Sequence, residues 1–189
     1  MTALRAWVNR LRRRLWRLLF FRMLFGERSA RGEALPGTRI SPSTCIEHEH
    51  ALTLGDDVFI GHFNFIEASA GVTIGSGTQV TNFVSIVSHS THRAVRVAAG
   101  LSGAELEAAV IRAPIAIGAR CFIGPHSTIE AGSTLGEGTL VAAHSRVRGQ
   151  FPDFAVLAGS PARVVGDVRD ADARWLEGLR SDGFGEKNF

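Results

Sequence analysis

The 189-residue chain is 45% hydrophobic and 21% charged, a balance that supports one folded domain with a core and excludes a disordered chain. Its two cysteines, Cys45 and Cys121, are too few and too far apart for a disulfide framework, so a reducing, cytoplasmic location is expected. The formal net charge of +3 conceals a local excess: Arg5, Arg10, Arg12, Arg13, Arg14, Arg17 and Arg22 lie in the first 25 residues, and the remainder is near neutral or acidic.

Residues 1–35 read as a basic amphipathic helix. Leu4, Val8, Leu11, Leu15, Leu18 and Leu19 recur every three or four residues, with most arginines on the other side. The arginines break the apolar runs and no small-residue cleavage site follows, so the segment does not read as a secretion signal. Its longest apolar run, Leu18 to Phe21, falls far short of the ~20 residues a spanning helix needs. Two readings stay open. With Trp7, Trp16, Phe20 and Phe21 the helix suits an anionic membrane surface; equally, it suits packing on its own oligomer with the arginines solvated. A nucleic-acid partner is not expected, because the rest of the chain offers no second basic patch.

From residue 36 to 168 the chain is repetitive. Aliphatic residues fall at Ile40, Ile46 and Leu52; at Leu54, Ile60 and Ile66; at Ile74, Val80 and Ile86; and, after a gap, at Ile117, Ile123, Ile129, Leu135, Val141 and Val147. A period of six fits a parallel β-helix whose coil has three short faces, with the aliphatic side chain inward and about eighteen residues per coil. The residue after it is small at Gly55, Gly61, Gly75, Gly118, Gly124, Gly136 and Ala142, as a tight corner requires. The pattern predicts about five coils, with residues eighteen apart as vertical neighbours. The 31-residue step from Ile86 to Ile117 predicts an excursion loop over 90–114, in which "SGAELEAAV" suits a short helix. Residues 169–189 are expected as a C-terminal tail with a short helix.

The segments "LGDDVFIGHFNFIE", "IAIGARCFIGPHSTIEAGSTLGEGTLVAAHSRV" and "FAVLAGSPARVV" resemble the hexapeptide-repeat acyltransferases, whose members acetylate galactosides, maltose, chloramphenicol or bacterial surface polysaccharides. The resemblance covers about residues 38 to 168. It implies an all-β, left-handed parallel β-helix, a homotrimer, and acetyl-CoA as acyl donor in grooves between neighbouring subunits.

At the root of the excursion, "SIVSHSTHR" carries His89 and His92. The resemblance makes His89 the general base of direct acetyl transfer to a sugar hydroxyl. The chemistry agrees, because a neutral imidazole removes the hydroxyl proton as the oxygen attacks an already activated thioester. His92 is the competing base, or a substrate contact. Asn82, Glu67 and His62 are expected on the acceptor side. The family's pantetheine contacts map to Pro125 and Ala143; Pro125 has no N–H, which removes one donor to the thioester oxygen. Where the family has a Thr-Lys pair for the CoA phosphates, this chain has Arg148 and Gly149, so Arg148 and Arg163 are expected to supply the charge, with Arg146 as a further candidate.

His126 and His144, eighteen apart, are expected to stack in adjacent coils. Histidine-ligated carbonic anhydrases share this kind of helix, but zinc needs a third ligand that is not evident, and no metal is expected. "EHEH", Glu47 to His50, reads as solvated surface and Cys121 as packing. The expected function is acetyl-CoA-dependent O-acetylation of a sugar or cell-envelope polysaccharide precursor. The alternatives are N-acetylation of a nucleotide amino sugar or a zinc-dependent hydratase. The basic helix favours an acceptor near the cytoplasmic membrane face.

Overall fold

The computed structural model describes residues 2–181, and its hexads form three sheets that make the sides of one prism. On the first face, parallel strands follow one another as Arg39–Ile40, Phe59–Ile60, Gln79–Val80, Phe122–Ile123, Leu140–Val141 and Ala155–Gly159. The second face stacks Cys45–Glu47, Phe65–Glu67, Ser85–Val87, Thr128–Glu130 and Arg146–Val147. Leu52–Leu54, Val72–Ile74, Ile115–Ile117, Thr134–Leu135 and Gln150–Phe151 make the third. The chain visits the faces in turn, so each coil adds one strand to every sheet.

The six-residue period places one aliphatic column on each face. Ile46, Ile66, Ile86, Ile129 and Val147 are aligned by strand register, and the last four are fully buried. Burying each such side chain contributes roughly 1.5–3 kcal/mol. The expected eighteen-residue spacing holds between Ile123 and Val141 and between Ile129 and Val147, but not in the first coils. There Ile40 meets Ile60 and Ile60 meets Val80. The third face explains the extra two residues: Leu52 and Leu54 both point inward from one three-residue strand, as do Val72 and Ile74. Across the excursion the vertical partners are Val80 and Ile123.

Corner glycines are required by crowding. A Cβ on Gly75 would lie 2.5 Å from the Ala119 nitrogen, and one on Gly118 would lie 2.7 Å from that of Glu137. Buried polar side chains at the corners are hydrogen-bonded to backbone. Asn64 donates to the Gly61 and Thr81 carbonyls at 3.1 and 2.7 Å and accepts from the Val84 N–H at 2.7 Å, tying one coil to the next.

Among the described residues, four α-helices decorate the coil. Helix α1 (Thr2–Phe20) precedes it. The excursion begins with His89–Ser90 paired antiparallel to Ile111–Arg112 and contains α2 (His92–Val97) and α3 (Gly103–Ala108). Helix α3 falls within "SGAELEAAV" and starts at a Ser102–Glu105 capping box, the local chemistry that fixes a helix start. Helix α2 was not anticipated; its buried Ala94 anchors it. The coil ends in an antiparallel hairpin of Ala155–Gly159 with Ala162–Asp167, followed by α4 (Val168–Ser181). Residues 182–189 of the expected tail lie outside the described residues.

Candidate active site

His89 follows the second-face strand Ser85–Val87, one coil above Phe65–Glu67. This register sets Glu67 beneath the histidine. The Glu67 side chain is 2% exposed, and its Oε2 lies 2.7 Å from His89 Nδ1. Ser88 Oγ donates to the same oxygen at 3.0 Å, and the Ser69 N–H donates to Oε1 at 2.8 Å. Burial alone would push the Glu67 carboxyl up; hydrogen bonds from Ser69, His89 and Ser88 outweigh it and hold the pKa at about 2. A carboxylate only accepts, so His89 donates to it from Nδ1; in the neutral imidazole this tautomer leaves the lone pair on Nε2.

His89 lines a cavity of about 400 Å³ together with Val87, Ser90, His92, Arg146 and Arg148. His92 Nδ1 is 2.7 Å from Ser90 Oγ. Arg146 is paired with Glu130, which also lines the cavity, at 3.1 Å. Of the expected site residues, the structure therefore brings His89, His92 and Arg148 to one cavity and puts Glu67 under its base.

The other expected contacts lie elsewhere. Asn82, Pro125 and Ala143 each come two residues after an aligned first-face aliphatic, Val80, Ile123 and Val141. They form a column along the corner before the second face, whereas His89 stands at the corner after it. Asn82 Oδ1 accepts the His62 N–H at 2.7 Å. The Pro125 carbonyl accepts the His144 N–H at 2.9 Å, while the exposed Ala143 N–H meets no acceptor among the described residues. Arg163 is exposed on the terminal hairpin and donates to the Ala162 carbonyl at 3.0 Å.

With this geometry in place, a family model described as bacterial transferase hexapeptide (six repeats) matches residues 109–149. That stretch, the end of the excursion and the coils that follow it, is similar to the hexapeptide-repeat transferases. A probable acetyltransferase of Mycobacterium tuberculosis is 29% identical over 123 residues, covering 65% of this chain and 39% of that protein. A putative lipopolysaccharide biosynthesis O-acetyl transferase of Escherichia coli is 28% identical over 123 residues, covering 64% of this chain and 62% of that protein. The chain thus spans less than two thirds of either relative. A solved galactoside acetyltransferase in complex with coenzyme A is 26% identical, with a TM-score of 0.58, over 71% of this chain and 63% of its own. The coil is a left-handed parallel β-helix, similar to that of these acetyltransferases.

Two features of the site escaped the sequence. Glu67 was expected to touch the acceptor, but it is buried against His89; the signal was its place one residue after the inward Ile66, one coil below Ile86. "EHEH" is not merely solvated, because His48 Nδ1 reaches Glu67 Oε1 at 3.4 Å. His48 adopts a left-handed φ of 57°. His126 and His144 stack face to face with centroids 4.9 Å apart, as expected. Among the described residues, no three His, Cys, Asp or Glu side chains are grouped to hold a metal ion. Cys121 is buried, which pushes its thiol pKa up and fits a packing role.

Proposed function

We propose that the chain is an acetyl-CoA-dependent O-acetyltransferase acting on a sugar or cell-envelope polysaccharide precursor, with His89 as general base. The observation that carries this reading is the His89–Glu67 contact at 2.7 Å beside an open cavity. A histidine fixed as the Nδ1–H tautomer by a buried carboxylate presents Nε2 as the acceptor for a proton.

In this mechanism Nε2 of His89 takes the acceptor hydroxyl proton as the oxygen bonds to the thioester carbon. Glu67 holds the resulting imidazolium. When the C–S bond breaks, the same proton passes to the departing sulfur, and His89 returns to its starting state. No protein nucleophile is consumed. Arg148 supplies positive charge for a phosphate of coenzyme A, and His92 borders the acceptor. The free Ala143 N–H suits a pantetheine carbonyl, in the manner of an added strand edge.

Pro125 and Ala143 stand at one edge of the second face and His89 at the other. A thioester laid along that turn is better placed for the His89 of a neighbouring copy, which supports a homotrimer with the site between subunits. The relative named for lipopolysaccharide biosynthesis favours an envelope glycan as acceptor. Acetyl transfer from labelled acetyl-CoA to a panel of sugars, lipid-linked glycans and nucleotide amino sugars tests the reading. Label on a glycan hydroxyl is expected; label on the amine of a nucleotide sugar, or no binding of acetyl-CoA at all, contradicts it.

A further inference from the structure

Helix α1 stands apart from the coil. Every described side chain from Leu4 to Phe20 is exposed, and the segment meets the body through Phe21, whose ring lies 5.2 Å from His62 and 5.4 Å from Phe63. Its leucine stripe is therefore uncovered: Leu4, Leu11, Leu15, Leu18 and Leu19 are 68, 41, 50, 53 and 64% exposed. Most helical stability in proteins comes from packing an amphipathic face, and this 19-residue helix has its apolar stripe uncovered, so another surface suits it.

We infer that α1 docks the chain on an anionic lipid bilayer surface. Three observations favour this occupant. The first is charge: α1 holds six arginines and no acidic residue, and taking six from the chain's 21 basic residues leaves 15 against 18 acidic ones, so the cationic surface is concentrated in the helix. The second is arrangement. At about 100° per residue, Arg5 and Arg12 border the leucine stripe on one side and Arg10 and Arg14 on the other, so both borders reach headgroup phosphates when the stripe enters the acyl boundary. Third, Trp7 stands at the edge of the stripe and is 60% exposed, where an indole suits the interface between headgroups and hydrocarbon. The helix lies on the bilayer, since no helix among the described residues is long and apolar enough to cross one. A second copy of this chain offers a less suitable seat, because the exposed Phe63 and Phe83 of its coil stack on each other and continue into His126 and His144, an aromatic and imidazole column with no carboxylate in it to meet the arginines.

This inference rests on the helix and not on the transferase reading, so it can fail alone. The full chain is mixed with vesicles of phosphatidylcholine, or of phosphatidylcholine with about one third phosphatidylglycerol, and floated on a density gradient. Flotation with the anionic vesicles only is expected, with a blue shift of tryptophan emission and release at high salt. Replacing Arg12, Arg13 and Arg14 by Gln is expected to weaken binding roughly a hundredfold. Leu11→Asp with Leu15→Asp should abolish it while leaving thermal unfolding of the coil and the oligomeric mass unchanged. Absence of flotation with anionic vesicles, or equal flotation with both kinds, overturns the inference. So does a fall in oligomeric mass in the Leu11/Leu15 variant, which would assign the stripe to another copy.

Discussion

Glu67 is buried under His89 and has its pKa held at about 2, whereas an unperturbed glutamate titrates near 4.5. The folded value lies below the unfolded one. Its contribution to stability, about 3 kcal/mol, is therefore complete above roughly pH 4.5 and lost as the pH falls toward 2. Glu67→Gln should flatten this acid limb in thermal unfolding measured from pH 6 to pH 3. The amide also no longer fixes the tautomer of His89, so kcat is expected to fall about 10- to 1,000-fold with KM for acetyl-CoA little changed. The histidine was legible because it ended a broken repeat, and the carboxylate was visible as a residue. Its role was not, since whether Glu67 faces solvent or His89 depends on the twenty-residue register of the first coils.

At the scale of the element, the coil was legible because one chemical demand repeats. Each face needs an inward aliphatic and each corner a side chain small enough for the next coil to pass. Gly118→Ala tests the corner: its Cβ would stand 2.7 Å from the Glu137 nitrogen, and overpacking of this kind costs about 1–3 kcal/mol in denaturant unfolding. Ile129→Ala tests the column and should cost about 2–5 kcal/mol, because its neighbours Ile86 and Val147 are held by strand register and cannot close the cavity. The two-residue surplus on the third face was visible as a slip in the repeat, but not as a second inward residue on one strand. Leu52 and Leu54 satisfy the alternation of a strand as well as the period of six, and only the stacking onto Val72 and Ile74 decides between them. Helix α2 was hidden for a different reason: its single buried residue, Ala94, carries little apolar signal.

For the whole molecule, the second face separates the Pro125–Ala143 corner from His89. If the site is built between copies, as proposed, the His89→Ala and Ala143→Pro proteins, each impaired, should recover part of the wild-type activity when unfolded and refolded together. Separately refolded samples should not. The Ala143→Pro change removes the amide proposed for pantetheine and leaves His89 untouched. Co-refolding without recovery would place both groups in one subunit's site. The proposed partnership between corners could not be read from one chain's sequence, because nothing in the hexads says which face of one copy would meet which corner of another.

The most direct test of the central claim is acetyl transfer by His89→Ala, measured alongside its binding of acetyl-CoA by calorimetry. The variant should bind acetyl-CoA as the wild type does and lose about 10²- to 10⁴-fold in transfer. Transfer at the wild-type rate with binding intact would contradict the assignment of His89 as the base.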